Sequence, residues 1–394
     1  MVLTRAQEQA VKIAVERYEH GEKYTVISGH AGSGKSTVVR FIIDALSSKG
    51  IKETDVCFCA YTGKACQVLQ NKGNKNVLTT HKLLYDFKPK PTGGFYRFPK
   101  KFLPYKVIII DEVSMFPKDL MDLLLSHNNI YVIFLGDDYQ LPPIDKKQDN
   151  HLLESPHIVF TEILRQAQES DIIRFTMKIR NGEKLPISYQ SNEVQVYPKS
   201  ELNMGMLHWA DQILVATNAN RKKINATMRQ DLGKTGKLAD GDKIICCRNY
   251  WDDASMNGDA LVNGTIGYVH SPFESFVRFP SYLYAEQDLP IFIGNFVSET
   301  GEDYASITMD KKFMVGGENA LDWKTAYRIA ANLNYKDLLP KEFTYAYAIT
   351  VHRAQGSEWD NVLVMEEAFP FGEEHSRWLY TAATRAREKL VIVR

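Results

Sequence analysis

Short, wholly apolar runs recur along the first half of the chain, separated by longer stretches with helical spacing. Residues 24–28 are β-prone, and a glycine-rich turn leads from them into a helical stretch at 36–48. The strand signal returns at 56–60, 107–110 and 131–135. Continuous apolar runs, rather than alternating ones, mark strands buried on both faces. Their spacing with intervening helices predicts βαβ units around a parallel sheet. A second set of such strands is expected at 213–217, 362–365 and 390–393. Between the sets the pattern changes. From 238 to 341 there are turn pairs (Asp240-Gly241, Asn257-Gly258, Asn263-Gly264, Gly316-Gly317) and short β-prone runs at 243–247 and 265–269. That texture predicts a small β-rich insertion of barrel type. The expected organisation is one α/β domain over 1–150, a second over 151–237 and 342–394, and an inserted β domain over 238–341.

A basic, aromatic segment interrupts the first domain. Residues 86–106 hold six Lys or Arg, one acid, four prolines, and Phe87, Phe95, Tyr96, Phe98, Phe102 and Tyr105. Gly93-Gly94 sits where a hairpin could turn.

Composition adds limits. The 394 residues suit two or three domains at ~150 residues each, and 44% hydrophobic with 24% charged residues is ordinary for a globular protein. Net charge is zero, 48 basic against 48 acidic side chains, so any nucleic-acid surface must be local. No apolar run approaches the ~20 residues of a membrane span, and residues 1–8 have no apolar core, so no signal peptide is expected. Five cysteines without C-x-x-C spacing argue against a zinc site and for reduced thiols in a cytoplasm.

The strongest local chemistry is Gly29-His30-Ala31-Gly32-Ser33-Gly34-Lys35-Ser36, a complete G-x-x-x-x-G-K-[ST] loop between a strand and a helix. Its glycines let successive backbone N–H groups turn toward one anion, and the helix N-terminus adds partial positive charge. Lys35 can reach β- and γ-phosphates and Ser36 can ligate Mg²⁺. The expected phosphate contacts are Gly29, Ala31, Gly32, Ser33, Gly34, Lys35, Ser36 and Thr37. The run 108–112 ends in Asp111-Glu112. A buried strand there delivers Asp111 to the sheet edge to hold Mg²⁺ or its water, and Glu112 can orient or deprotonate the attacking water.

Further stretches, in order along nearly the whole chain, resemble the motifs of superfamily 1 DNA helicases of the RecD/Dda type. Leu3-Thr4-Arg5-Ala6-Gln7 resembles the Q motif, which implies that Gln7 reads the adenine edge; Thr4-x-x-Gln7 is also a capping box. Ala60-Tyr61-Thr62-Gly63-Lys64-Ala65 resembles motif Ia, with Tyr61 in place of the usual proline, and Thr79-Thr80-His81 resembles motif Ib. The resemblance makes Thr62, Gly63, Lys64, Thr80 and His81 DNA contacts. Leu135-Gly136-Asp137-Asp138-Tyr139-Gln140-Leu141-Pro142 resembles motif III, which puts Gln140 near the γ-phosphate. Residues 160–166 and 381–387 resemble motifs IV and VI, implying that Arg165 and Arg385 point at the same phosphate from the second domain, with Arg387 structural. Thr350 to Glu358 resembles motif V: Thr350, His352 and Arg353 would touch DNA, and Gly356 and Glu358 would lie near the nucleotide.

The resemblance implies an α/β fold of two RecA-like P-loop NTPase domains with ATP and Mg²⁺ between them. The 238–341 insertion matches the SH3-like β-barrel, and 85–106 matches the β-hairpin pin, with Phe95, Tyr96 and Phe98 facing the fork. A charged surface hairpin with a small satellite core is the other reading of that segment. The implied activity is ATP-dependent DNA unwinding, 5′ to 3′ along single-stranded DNA. The expected partners are single-stranded and forked duplex DNA, with a single-strand binding protein or replication proteins beside them. The expected state is a cytoplasmic monomer with no membrane association, in the host cytoplasm if phage-encoded. Two alternatives stay open: a translocase or RNA helicase that does not unwind DNA, and an ATP-loaded clamp that does not hydrolyse.

Overall fold

The computed structural model describes residues 3–89, 95–143, 145–161, 169–255, 260–332, 334–367 and 372–394. The first unit contributes β1 (Tyr24–Gly29), β2 (Val56–Ala60), β3 (Val77–Thr79), β4 (Tyr85–Pro89), β5 (Phe95–Pro99), β6 (Val107–Ile110), β7 (Tyr131–Gly136) and β8 (Ile158–Phe160). Six of these form a sheet in the order β3-β2-β6-β7-β1-β8, and every neighbouring pair is parallel. The apolar runs alternate between two cores. Val107 and Ile109 pack with Ile42 and Ala14 from the helices Lys35–Ser47 and Arg5–Glu19, while Ile108 and Ile110 pack with Leu120 and Leu124 from the helix Lys118–Leu125. A strand covered on both faces has no polar side, which is why it reads as a continuous apolar run. The register aligns the strand ends: Ser28 lies opposite Gly136, and Ile110 opposite Phe134. The residues that follow these strands therefore meet at one edge, where open α/β sheets bind ligands.

The rest of the chain supplies β9 (Tyr189–Gln190), β10 (Val194–Tyr197), β11 (Gln212–Val215), β12 (Lys243–Cys246), β13 (Tyr250–Ala254), β14 (Ala260–Leu261), β15 (Ile266–Arg278), β16 (Asp288–Ser298), β17 (Asp303–Asp310), β18 (Phe343–Tyr345), β19 (Ala348–Thr350), β20 (Trp359–Met365) and β21 (Ala386–Val393). A second six-stranded sheet runs β19-β11-β20-β21-β10-β9, parallel except for the β9–β10 pair. The strand expected at 213–217 stops at Val215, and Thr217 instead caps the helix Asn218–Asp231.

The insertion forms an antiparallel sheet ordered β17-β16-β15-β12-β18. Its last strand, β18, lies beyond the expected boundary at 341. A parallel bridge between Met309 and Lys341 draws the two edges together. The run expected at 265–269 is only the start of the 13-residue β15. His270-Ser271-Pro272 form a bulge within it: the register shifts between His270 and Phe273, and Ser271 has φ 49°. Beyond the bulge, β15 and β16 carry a small core of their own, in which Val277, Phe279, Leu289 and Ile291 pack with Leu321 and Ile329. In the first unit, β4 and β5 pair antiparallel from Tyr85↔Pro99 to Pro89↔Phe95; Gly93-Gly94 lies outside the described residues. No described helix is long and apolar enough to cross a membrane.

Candidate active site

The phosphate loop follows β1 directly. Gly32 and Gly34 have φ of 75° and 85°, values that side chains with a Cβ rarely adopt. Gly34 is also the N-cap of the helix Lys35–Ser47, so the free N–H groups of that helix open onto the loop. Gly29 has no room for a side chain: a Cβ there would lie 2.6 Å from Ser33 Oγ and 2.9 Å from Phe160 Cβ. Ser33 is buried and its hydroxyl has no partner among the described residues. The Lys35 ammonium donates to Gly29 O and, at 3.1 Å, to His30 O. Burial lowers its pKa, and Asp137, Asp111 and Glu112 pull it back up. The buried His30 ring pins the loop through Ala31 O at 2.8 Å and Thr161 O at 3.1 Å. Thr37 N donates to Gly34 O.

Ser36 and Asp111 line one small cavity of about 40 Å³, together with Arg40 and Asn74. Asp111 Oδ1 accepts from the N–H of Glu112 at 2.9 Å. Glu112 itself adopts φ 56°, ψ 46°. A non-glycine residue held there carries strain of about 1–3 kcal/mol, a cost tolerated where it aims a functional group. Burial pushes the Glu112 carboxyl above its ordinary value, and the charge of Arg385, from the second unit, opposes that shift. The buried Arg385 donates to Thr381 O (3.1 Å), Ser357 O (3.3 Å) and Thr384 Oγ1 (3.1 Å). Gln140 is buried at the end of the turn after β7, and its Oε1 has no partner among the described residues. Gln7 completes the capping box, with Thr4 N donating to Gln7 Oε1 at 3.1 Å, yet its buried Nε2 has no partner among the described residues. A buried, unsatisfied hydroxyl within a glycine-rich turn suits an anionic ligand such as a phosphate. Arg165 lies outside the described residues.

On the second face, Thr62 caps the helix Gly63–Asn71 by accepting from Ala65 N. Lys64 beside it has a pKa lowered by burial, against the raising influence of Glu299 and Glu302 from the insertion. His81 is ringed by Tyr61 at 5.9 Å and Tyr85 at 6.1 Å, a row leading to the base of the β4–β5 hairpin. Thr80 is a correction to the expected DNA contacts. It is fully buried and donates its hydroxyl to Ala60 O, so it closes the end of β2 and has no face for DNA. In the second unit, Thr350 is buried, Arg353 is exposed and donates to Cys247 Sγ at 3.4 Å, and burial lowers the His352 pKa. Gly356, with φ 75°, rests against Ala65 and Thr62, and Glu358 is exposed. Phe98 is 45% exposed; the side chains of Phe95 and Tyr96 lie outside the described part. Arg387 pairs with Asp360 at 2.7 Å on the surface.

Residues 2–200 match the family model described as an AAA domain, and residues 345–393 match that of the UvrD-like helicase C-terminal domain. Over 403 aligned residues the chain is 27% identical to the ATP-dependent RecD2 DNA helicase of Deinococcus radiodurans, covering 94% of this chain and 46% of that one. The chain belongs to the superfamily 1 helicases of the RecD and Dda type. Within that family it is also similar to the ATP-dependent DNA helicase dda of Enterobacteria phage T4, at 30% identity over 195 residues, 46% of this chain and 43% of that one. It spans less than half the length of either relative. Its fold is similar to that of a Pif1 helicase from Bacteroides in complex with ADP-AlF3 and single-stranded DNA, with a TM-score of 0.54 and 19% identity over all of this chain and 92% of that one.

In this superfamily 1 chain the sequence reading missed the groups that hold the two units together. Arg180, on the helix Asp171–Arg180, donates to Asp137 Oδ1 at 2.7 Å and to Asp138 Oδ1 at 2.6 Å. The Tyr380 hydroxyl donates to Asp137 Oδ2 at 2.5 Å and accepts weakly, at 3.4 Å, from Ala31 N in the phosphate loop. Burial pushes the Asp138 carboxyl up, but the hydrogen bond and charge of Arg180 outweigh it and hold Asp138 below the usual carboxylate range. Nothing local marks Arg180 in Lys178-Ile179-Arg180-Asn181; its partners are more than 40 residues away.

Proposed function

We propose that the chain is an ATP-dependent DNA helicase that moves 5′ to 3′ along single-stranded DNA and parts duplex DNA at a fork. The observation that carries the reading is the composite cleft. Lys35, Asp111 and Glu112 come from the first unit, while the buried Arg385 acts on Glu112 from the second. Hydrolysis in such a cleft changes the contact between two domains, which is what a motor on a strand requires. In this reading the phosphate loop, with Thr37 and the Gln7 amide, binds ATP. Glu112 positions water, and Gln140, Arg165 and Arg385 meet the γ-phosphate. Ser36 and Asp111 would hold Mg²⁺, which supplies charge neutralisation at the phosphates. Gly356 and Glu358 border the nucleotide side of motif V.

Thr62, Gly63, Lys64, His81, Thr350, His352 and Arg353 line the strand path. The domains are 1–150, 151–237 with 342–394, and an SH3-like insertion over 238–341 that extends to β18. The β4–β5 hairpin is the pin, and Phe95, Tyr96 and Phe98 meet the first base pair. The motor works as a monomer beside a single-strand binding protein. The names of RecD2 and Dda support the DNA-helicase reading.

ATP turnover with and without single-stranded DNA, followed by strand displacement on forks of both polarities, tests it. Strong stimulation by DNA and displacement only on the 5′-tailed fork are expected. Turnover without displacement would make the chain a translocase, and no turnover a clamp.

A further inference from the structure

The turn 137–141 grows out of β7 in the first unit, yet side chains of the second unit grip most of it. Arg180 bridges Asp137 and Asp138. Arg377 Nη2 donates to Asp138 O at 2.6 Å and to Gln140 O at 3.1 Å. Thr381 Oγ1 accepts from Leu141 N at 3.0 Å, and Gln355 Nε2 donates to Leu141 O at 3.0 Å. From the first unit, Ser28 Oγ donates to Asp138 Oδ1 at 3.1 Å. Gln140, whose amide oxygen has no partner among the described residues, is thus carried on a turn that follows a first-domain strand but aimed by the second domain.

We propose that Arg180 is the latch of this grip, a positioning residue that sets Gln140 toward the nucleotide through Asp137 and Asp138. The inference rests on the helicase reading of the same cleft. The geometry singles out Arg180. The Asp137 side chain is 1% exposed, and a buried carboxylate requires charged or hydrogen-bonding partners. Each terminal nitrogen of the guanidinium takes a different, adjacent carboxylate, which fixes the plane of the fork as well as its distance. The same guanidinium lies 5.2 Å from the Tyr139 ring and 5.9 Å from the Tyr380 ring, so rings from both units clasp it. A lysine keeps the charge and the stem but cannot bridge two carboxylates in one plane.

The test uses the full chain. In Arg180→Lys, DNA-stimulated kcat should fall by about 10- to 100-fold, the effect of a small misplacement at a reacting centre. The dissociation constant for an ATP analogue should stay within about threefold of the parent value. In a Gln140→Ala background, Arg180→Lys should lower kcat no further, because the group it aims is gone; a residue that merely holds the fold would still lower it. Asp138→Asn should give a smaller fall and add nothing to Arg180→Lys. Should Arg180→Lys fail to fold, Asp138→Asn decides, since its side chain is 42% exposed: kcat must drop with affinity unchanged. Parent-like kcat in the deciding variant, or full additivity with Gln140→Ala, overturns the latch. An unmodified chain without DNA-stimulated turnover overturns the helicase reading instead.

Discussion

Glu112 is both strained and electrostatically unusual, with a left-handed backbone and a carboxyl whose burial raises its pKa. If it is the water-positioning base, Glu112→Gln should bind ATP normally while DNA-stimulated turnover falls by about 10²- to 10⁴-fold. The base must be ionised to act, and its pKa is raised, so activity is lost as pH falls through a value above the ordinary glutamate range. That acid limb should vanish from the residual activity of Glu112→Gln; a limb at an unshifted position would deny Glu112 the role. Lys35→Ala should instead abolish nucleotide binding, measured by titration with a fluorescent ATP analogue. Residues such as these were legible because the spacing of the phosphate loop is local chemistry. Thr80 misled for the opposite reason. A hydroxyl at the end of a strand looks free in sequence, whereas here it closes the Ala60 carbonyl. Arg180, Arg377 and Tyr380 were invisible because their meaning lies in partners on a different sheet.

Among the elements, the β4–β5 hairpin carries the clearest division of labour. Its base belongs to the core: Leu103 is fully buried and Tyr85 and Tyr105 pack beside it. Phe98 and Phe102 are 45% and 66% exposed. An aromatic ring at a fork can stack on the terminal base pair for about 1–3 kcal/mol per base. Replacing Phe95, Tyr96 and Phe98 together with Ala should therefore leave DNA-stimulated ATPase intact while unwinding of a forked duplex drops steeply. Loss of both activities would mean that these rings are packing. The core strands of both sheets were readable because burial on two faces leaves an unbroken apolar signature. Strand β15 was not, because a bulge and a turn share the same small and proline residues, and only pairing across to β16 distinguishes them.

At the scale of the molecule, the insertion packs tightly against the first unit at Gly63. A Cβ on Gly63 would fall 2.1 Å from Val262 Cγ2. Gly63→Ala should force the insertion away from the helix Gly63–Asn71 and destabilise the chain by about 1–3 kcal/mol in urea unfolding, as overpacking does. Val262→Gly in the same chain, which also removes the Val262 Cβ that would lie 2.4 Å away, should recover part of that loss. If Gly63→Ala is neutral, the insertion is not seated there in solution. Lys64, faced by Glu299 and Glu302 across the same boundary, should then gain affinity for a single strand when Glu302 becomes Gln, read by fluorescence anisotropy.

The order of the second sheet also bears on how the protein is made. Strand β21 is synthesised after every other strand of its sheet, yet it lies between β20 and β10. The first sheet, by contrast, has every strand in hand once Phe160 is synthesised. At about 5–20 residues per second, a nascent chain spends some ten to fifty seconds with one half foldable and the other waiting for its middle. Until β21 is made, β10, and β20 once Met365 is in place, each expose an unpaired edge, the surface that chaperones and misassembly compete for. A chain that stopped before Ala386 would lack a central strand of its second sheet, keeping an intact phosphate loop with nothing to move.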